Sequence, residues 1–446
     1  MKYFQSLPFA QYGKNVFWML GGRMIQLMIT FWVTAMVGRY LGPESYGVLN
    51  YARSVAGFFL MVSVMGFESV LVRRFVDAPE RTAETLGTSI WIRFLASLMS
   101  FGAVAAFAWL GEPDEITRWL MLILVAGGIF RVFENLDFFF QSQVQAQFGV
   151  KVRLLAVLGQ SLFNIWLIYR QAPLIWFGVA FLIRHVIEQG GIVWMYRRHF
   201  GGLRRLSISK KAAGELLRET WPLLLSSLIA VLYMRMDQLM LRFLMDHSAV
   251  GYYAAALRFS EVWYFTAPLL TSALFPAIVK AKQVDQSTYR LKLQQLYTLA
   301  VLLALAIIVP TLFLGGWAIQ LPFLFGASYA EAVPVLNIHI WTLVFVMLGS
   351  MVDKHLLMEG NQRFSFYRAL VGLGVNIFLN LWLIPLWGIT GAAVATLISQ
   401  VVSSFLMMAI FPKTRTVFWM ECKALIGAEI SSLFRRGRAK LQGPSQ

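Results

Sequence analysis

Seven arginines fall within stretches of sequence that are otherwise apolar and long enough to cross a membrane. They are Arg23, Arg53, Arg93, Arg131, Arg184, Arg235 and Arg258. A charge near the centre of a membrane-spanning helix costs roughly 2.5–3.5 kcal/mol, so each arginine should face a polar interior, a partner or a ligand. A guanidinium stays protonated and donates to two oxygens at once, which suits a pyrophosphate. We therefore expect a cationic interior that binds an anion. The candidates, in order, are Arg23, Arg53, Arg258, Arg93, Arg131 and Arg235.

Acidic residues near these arginines suggest which of them pair within a helix. Three pairs have the spacing of three or four residues that places two side chains on one helix face: Arg131 with Glu134, Arg184 with Glu188, and Arg258 with Glu261. Arg235 and Asp237 are two residues apart and point in different directions, so a partner of either lies on another helix. A purely structural salt bridge between helices is the alternative explanation for any one arginine.

Carboxylates inside the same stretches are candidates for binding a coupling ion. They are Glu134, Asp137, Asp237, Glu261 and Glu188. Glu134 and Asp137 lie three residues apart, and two carboxylates that close make the pair a candidate proton carrier. Neutralisation of both by arginines is the alternative at this position. His185, next to Arg184, is a further titratable candidate.

The elements that position these residues are expected to be membrane-spanning helices. The chain is 58% hydrophobic and 14% charged, whereas about 25% of the residues of a soluble domain are charged. A span needs about 20 apolar residues. Twelve segments meet that requirement, near residues 15–38, 48–72, 86–110, 117–141, 150–169, 173–196, 220–243, 249–277, 295–317, 333–357, 366–386 and 389–411. The expected fold class is an all-α polytopic membrane protein with 12 transmembrane helices.

The distribution of lysine and arginine predicts the orientation of these helices. If the N-terminus is cytoplasmic, the inner segments carry 28 of these residues and the outer segments carry four, Arg39, Arg118, Arg170 and Arg242. The positive-inside rule favours this arrangement, with both termini in the cytoplasm and an even number of spans. The net charge of +17 then reflects contact with anionic lipids rather than with nucleic acid.

The longest loop between the spans is basic and divides the chain into two sets of six helices. We expect an N-terminal six-helix bundle at 1–200, a basic cytoplasmic linker at 201–218, a C-terminal six-helix bundle at 219–412 and a cytoplasmic basic tail at 413–446. For the last segment, the sequence is compatible with an interfacial helix or with a disordered tail. Similar segments at Phe163–Ile168 and Leu379–Ile384 suggest parallel repeats with pseudo-two-fold symmetry. Such repeats predict a cleft that opens alternately to each side.

Motifs of several common enzyme classes are absent from the sequence. It has no Walker-type phosphate loop, no HExxH zinc motif and no serine nucleophile elbow. The five histidines are scattered and Cys422 is the only cysteine, so neither a metal site nor an internal disulfide is expected. We expect no enzymatic activity and no cofactor. The energy for transport would come from an H+ or Na+ gradient, or from consumption of the substrate on the far side.

Several segments resemble a known family. Val37–Ala52 reads VGRYLGPESYGVLNYA and is similar to the motif between the first two helices of the bacterial oligosaccharide flippases, the Wzx-like polysaccharide transporters. Further similarity to the family's seventh, eighth and last two helices lies at Trp221–Ser227 with Met234–Gln238, at Val250–Ala256 with Arg258 and Glu261, and at Leu379–Pro385 with Gly388–Ala393. These segments span the chain. It thus resembles members of the multidrug/oligosaccharidyl-lipid/polysaccharide exporter superfamily.

The resemblance implies two six-helix bundles arranged as a V. It also implies a flippase that moves an undecaprenyl-pyrophosphate-linked oligosaccharide across the bacterial cytoplasmic (inner) membrane by alternating access, coupled to protons or sodium. The implied partners are the lipid-linked oligosaccharide, anionic lipids, and polysaccharide polymerase and chain-length enzymes. Related lipid II flippases usually carry two extra helices, which favours the polysaccharide branch here. One alternative is an ion-coupled small-molecule or drug exporter of the same superfamily. Another is a membrane-embedded glycan polymerase or ligase, against which the short outer loops argue.

Overall fold

A computed structural model of the protein describes residues 9–64, 66–203 and 206–427. Within these ranges the chain is helical and contains no β-strand. By its internal contacts the chain divides into two compact units, Met1–Leu239 and Met240–Gln446, which we name unit 1 and unit 2. The prediction of an all-α protein is confirmed. The division between the units falls near the end of the predicted seventh span.

Unit 1 is built from long helices joined by short connections. Its described helices are α1 (Phe9–Val64), α2 (Phe67–Asp77), α3 (Thr82–Gly111), α4 (Glu115–Phe130), α5 (Glu134–Ser142), α6 (Gln147–Tyr169), α7 (Ile175–Phe200) and α8 (Lys210–Leu244). A 3-10 turn, Arg131–Phe133, joins α4 to α5. The last residues of α8 belong to unit 2.

Unit 2 continues the same pattern. Its described helices are α9 (His247–Glu261), α10 (Thr266–Val284), α11 (Gln286–Gln320), α12 (Ala332–His339), α13 (Thr342–Met358), α14 (Arg363–Val401), α15 (Met407–Ile410) and α16 (Arg415–Leu425). The N-termini of α9 and α11 are capped by aspartate, since Asp246 accepts a hydrogen bond from the backbone N–H of Ala249 and Asp285 from those of Ser287 and Thr288, each at 2.8 Å. A π-helical stretch, Val402–Leu406, joins α14 to α15.

Glycine breaks two of the longest helices. In α1, Gly42 has a φ of 72° and is followed by Pro43. In α14, Gly388 has a φ of 59°. Positive φ is accessible to glycine without steric cost, and proline lacks the N–H that would continue the helix, so the chain turns sharply at these points. Each broken helix therefore covers two of the predicted spans.

Each of the twelve predicted spans coincides with one or two of these helices. Eight helical stretches in the described chain are apolar and long enough to cross a membrane, or nine with the bent pair His247–Phe275 and Ala277–Val284. Two of the eight, Gly21–Asp77 and Arg363–Ile410, have 57 and 48 residues and contain the glycine breaks. At about 20 residues per crossing, each is long enough for two. The protein is therefore a multi-pass membrane protein, and the total of twelve crossings stays a prediction.

Aromatic packing in unit 1 fixes the position of α5. The ring of Phe139 on α5 meets Phe75 on α2 and Tyr196 on α7 edge-on, with centroids 5.7 and 5.8 Å away. These rings belong to a buried cluster with residues of α3, α6 and α8. Because α5 is anchored here, its first turn is held in place, and that turn carries Glu134 and Asp137.

The start of α8 is tied to α2 by charged side chains. Arg74 on α2 contacts Glu219, and its Nη1 donates to Glu215 Oε2 at 3.3 Å. We name these two contacts the α2–α8 clasp. Nearby, the backbone N–H of Ser209 donates to Thr88 Oγ1 at 3.0 Å. Since α8 begins at Lys210, the second half of the predicted 201–218 linker is helical.

In unit 2, α16 packs against α11 and forms part of the predicted tail. Its buried residues are Val417, Met420, Glu421 and Ala424. Two apolar side chains of the helix, Trp419 and Leu425, are exposed, by 63% and 39%. Cys422 is half-buried. A helix thus exists in the tail, while residues from 428 onward lie outside the described residues.

Candidate functional site

Two arginines and one glutamate form a cluster between α3, the Arg131–Phe133 turn and α5. Arg93 Nη2 donates to Glu134 Oε2 at 2.5 Å, and Arg93 Nη1 donates to Asn135 Oδ1 at 2.7 Å. Arg131 Nη2 donates to the same Glu134 oxygen at 3.0 Å, which confirms the predicted pair, although Arg131 lies in the 3-10 turn and Glu134 begins α5. Since one carboxylate serves two guanidiniums, the cluster keeps one positive charge.

A narrow cavity in unit 1 is lined by two further arginines. Arg53 on α1 and Arg184 on α7 face a space of about 50 Å³. The other polar residues of its lining are Thr30, Thr34, Tyr46, Gln160, Ser161 and Asn164. The guanidinium carbon of Arg53 lies 4.1 Å from the centroid of the Phe181 ring, a cation–π contact that orients the charge. We name this space the arginine cavity.

Polar atoms in the arginine cavity have hydrogen-bonding capacity left over. Arg184 Nε lies 3.8 Å from Glu188 Oε2, which confirms the predicted ion pair. The distance exceeds that of a hydrogen bond, and Arg184 Nε has no hydrogen-bond partner among the described residues. The same holds for the buried Oδ1 atom of Asn164. A buried polar atom without a partner is costly, so these two atoms leave hydrogen-bonding capacity unused in the wall of the cavity, although neither has accessible surface in this conformation.

A second cavity in unit 1 carries charges of both signs. Its volume is about 430 Å³, and its charged residues are Arg23 on α1, Glu68 on α2, Glu134 and Asp137 on α5, and Arg153 on α6. Arg153 Nη1 donates to Asp137 Oδ2 at 2.7 Å. We name this space the mixed-charge cavity. The predicted cationic interior of unit 1 is therefore divided, with Arg53 in the arginine cavity and Arg23 in the mixed-charge cavity.

The surroundings of the predicted anion-binding arginines differ. Arg93 has no exposed side-chain surface, and both of its terminal nitrogens are bonded to protein atoms. It is placed to hold Glu134 rather than to meet a ligand. Arg23 is exposed and Arg53 is half-buried, and both line cavities.

The remaining predicted residues lie outside these two cavities. On α8, Asp237 is buried and Arg235 is half-buried. The neighbouring Gln238 accepts a hydrogen bond from Ser54 on α1 at 2.6 Å, which fixes this part of α8 within unit 1. Arg258 and Glu261 are half-buried on α9 in unit 2. Their roles in anion and ion binding stay predictions.

Several site residues were not predicted from the sequence. Gln160 and Asn164 lie four residues apart on α6 and both line the arginine cavity. Two amides at this spacing in an apolar helix are a readable signal, and Asn376 and Asn380 repeat it in unit 2, where Asn380 Nδ2 donates to Asn376 Oδ1 at 3.0 Å. Arg153 lies at the start of the span predicted near 150–169, and no local pattern indicated its ion pair with α5.

Family comparison agrees with the segments that resemble flippases. The chain matches the family described as "Polysaccharide biosynthesis protein" over residues 12–282, which is more than half of its length. It also matches the family described as "Lipid II flippase MurJ" over residues 155–434. The two matches together cover most of units 1 and 2.

Individual relatives are distant in sequence. The chain is 21% identical to the capsular polysaccharide biosynthesis protein CapF of Staphylococcus aureus, across 87% of this chain and 96% of CapF. It is 25% identical to the uncharacterized membrane protein EpsK of Bacillus subtilis, across 90% of this chain and 87% of EpsK. The match to the probable flippase AglR of Haloferax volcanii is 27% identical and spans 42% of this chain and 40% of AglR.

Solved structures of transporters share the fold. The lipid II flippase MurJ in an inward closed conformation superposes with a TM-score of 0.71 at 16% identity, covering 94% of this chain and 93% of MurJ. An inward-facing multidrug resistance transporter of the MATE family superposes with a TM-score of 0.68 at 17% identity, covering 92% of this chain and 98% of the transporter. Such low identity establishes the fold alone, and the assignment to a family depends on the family matches. The chain belongs to the polysaccharide biosynthesis protein family and is a Wzx-like flippase of the multidrug/oligosaccharidyl-lipid/polysaccharide exporter superfamily.

Proposed function

We propose that this flippase translocates an undecaprenyl-pyrophosphate-linked oligosaccharide repeat unit across the bacterial cytoplasmic membrane for cell-surface polysaccharide biosynthesis. Transport proceeds by alternating access and is coupled to H+ or Na+. Both termini lie in the cytoplasm, as the positive-inside rule indicates. A polysaccharide polymerase and chain-length enzymes then act on the exported unit.

The observation that carries this proposal is the pair of guanidiniums in the arginine cavity. Arg53 and Arg184 line one space inside an apolar helical bundle, together with amide and hydroxyl groups. Two cations and several neutral donors fit the two phosphates of a pyrophosphate, because arginine donates bidentate hydrogen bonds to phosphate oxygens. A space of about 50 Å³ accepts a small polar group and leaves the glycan and the lipid outside.

An ion-coupled exporter of small molecules is the second candidate, because transporters of the MATE family share the fold. The two proposals differ in the charge of the substrate. The arginine cavity repels an organic cation and attracts an anion. Export of cationic dyes that is independent of Arg53 would therefore favour the second candidate.

The test is translocation in proteoliposomes that contain a fluorescent undecaprenyl-pyrophosphate glycan. We expect the native protein to equilibrate the label between leaflets, and Arg53→Ala to slow this at least about tenfold, which corresponds to about 1.4 kcal/mol. Arg39→Ala is the matched control, since Arg39 is exposed on the same helix. Equal rates for Arg53→Ala and the native protein would remove the arginine cavity from the substrate path.

A further inference from the structure

In the ion pair of Arg153 and Asp137, which lines the mixed-charge cavity, the arginine is more exposed than the aspartate. Arg153 Nη1 lies 2.7 Å from Asp137 Oδ2, and the two side chains are 28% and 2% exposed. The guanidinium can thus be reached from the cavity, whereas the carboxylate lies beneath it. An anion that enters the cavity meets the cation of this pair first. Arg23, exposed on α1, lines the same space and offers a second cation.

Few groups other than Arg153 stabilise the negative charge of Asp137. Gln141 Nε2 donates to Oδ2 at 3.2 Å. The other oxygen, Oδ1, is buried and has no hydrogen-bond partner in the described chain. It lies so close to Gly149 on α6 that a Cβ at that position would collide with it. If Arg153 turned away, a buried carboxylate would be left with one amide donor, which is unfavourable unless it takes up a proton.

A second carboxylate faces the same space. Glu68 on α2 is exposed and forms no ion pair with a described residue, and it interacts electrostatically with Glu134, Asp137 and Arg153. Glu134 is compensated by two arginines. If Arg153 moves to another partner, it no longer offsets the repulsion between Glu68 and Asp137, and one proton relieves that repulsion.

The charges around Asp137 do not include a metal-binding arrangement. The charged groups on the surrounding elements are Arg23, Glu68, Arg93, Arg131, Glu134, Arg153 and Glu188. Among the described residues, no group of three or more His, Cys, Asp or Glu side chains could hold a metal ion. A proton needs a single oxygen, and the unpartnered Oδ1 of Asp137 supplies one.

We propose that Arg153 and Asp137 form an anion–proton exchange pair at a second phosphate site, which the substrate occupies at a different stage of transport from the arginine cavity. At this site a phosphate oxygen of the substrate replaces Asp137 on Arg153. The hydrogen bond from Arg153 to Asp137 breaks, a hydrogen bond from Arg153 to the phosphate forms, and Asp137 takes one proton from water. The pyrophosphate brings two negative charges and the proton brings one positive charge, so the cavity gains one negative charge, which faces Arg23. By linkage, anion and proton each favour the binding of the other. The inference rests on the proposed function and describes how the site responds when the phosphate binds.

The test counts protons taken up on anion binding, separately from transport. Purified protein is titrated calorimetrically with a citronellyl-pyrophosphate-glucose diester near neutral pH, in two buffers of different ionisation enthalpy. Each phosphate of this probe carries one ester bond, one anhydride bond and one ionised oxygen that does not titrate there, so protons that are taken up go to the protein. We expect uptake of about one proton per probe bound in the native protein.

Variants identify the residue that takes up the proton. Asp137→Asn should bind the probe with uptake near zero, and Arg153→Gln, in which Asp137 lacks its cation beforehand, should also lose the uptake. Asp77→Asn, an exposed carboxylate at the end of α2, should keep it. Binding without uptake in the native protein, or uptake that persists in Asp137→Asn, would overturn the exchange pair and leave the anion site intact. Absence of binding by the native protein would overturn the proposed function as well.

Discussion

Arg93 Nη2 on α3 lies 2.5 Å from Glu134 Oε2 on α5, and the Arg93 side chain has no exposed surface. The pair joins two helices that are far apart in sequence. Glu134 also accepts from Arg131, so two buried or half-buried cations share a single carboxylate. Loss of that carboxylate would leave a guanidinium in the bundle without its counter-charge.

Glu134→Ala should therefore destabilise unit 1 strongly. Breaking a buried ion pair on one side costs about 3–5 kcal/mol, because the remaining charge is uncompensated. The loss of stability is measured as a fall in the midpoint of thermal unfolding in detergent. The midpoint is the temperature at which half of the protein is no longer monodisperse. The double variant Arg93→Met with Glu134→Ala should recover part of the loss. If the double variant equals the sum of the single variants, the two side chains are not coupled.

Phe181 should affect substrate affinity through Arg53. The ring lies 4.1 Å from the guanidinium carbon, and a contact of this kind contributes about 0.5–2 kcal/mol. Phe181→Leu removes the ring face and should raise the KM for the lipid-linked glycan several-fold, with little change in unfolding temperature. Phe181→Tyr retains the ring and is the matched control. An unchanged KM in Phe181→Leu would mean that Arg53 is oriented by other contacts.

The α2–α8 clasp should limit the opening of the first turns of α8. The Arg74 side chain is 17% exposed and faces two carboxylates, so we expect a contribution of about 1 kcal/mol. Arg74→Ala should raise amide hydrogen exchange at 210–219 about fivefold. Arg73→Ala is the control. The Arg73 side chain is 61% exposed, and its only ion-pair partner among the described residues is Glu219, at 2.7 Å. Equal exchange in both variants would contradict a role specific to Arg74.

Glu421 should make the stability of unit 2 depend on pH. Burial raises the pKa of the Glu421 carboxyl well above its ordinary value of 4.5, and neither of its oxygens has a hydrogen-bond partner among the described residues. Between 4.5 and the raised pKa, the native state holds a proton that the unfolded state has released, so stability falls as pH rises through this window. The unfolding temperature should thus be lower at pH 8 than at pH 5.

Glu421→Gln resembles the protonated carboxyl and should remove this part of the pH dependence. Its gain in stability at pH 8 should exceed about 1 kcal/mol, the energy of roughly one pKa unit. Glu80→Gln, at an exposed carboxylate, should keep the native profile. An unfolding temperature that falls equally with pH in Glu421→Gln and the native protein would assign the effect to other groups.

Contacts within one helix could be predicted from the sequence, and contacts between helices could not. Arg131 with Glu134 and Arg184 with Glu188 follow from spacing, because residues three or four apart share a helix face. The pairs of Arg93 with Glu134 and of Arg153 with Asp137 depend on how α3, α5 and α6 pack. No local pattern encodes that packing, so these partners required the structure.

The positions of the spans could likewise be predicted, but their breaks could not. Runs of apolar residues locate the helices because the hydrocarbon core excludes most charges. At Gly42 the sequence suggests a connecting loop, whereas the backbone continues as helix on both sides of one glycine with positive φ. In α7, Arg184 and Glu188 reduce the apolar character of a helix that packs against α4 and α6. Its placement depends on neighbours that its own composition does not reveal.

The half-buried thiol of Cys422 makes the native chain a ready background for single-site labelling. The sequence contains one cysteine, and it lies on α16 directly after the buried Glu421. A maleimide dye attached there would mark one known position per molecule without the removal of other thiols. Its emission would respond to the hydration of α16, so movements of this helix could be followed in single molecules of unaltered sequence.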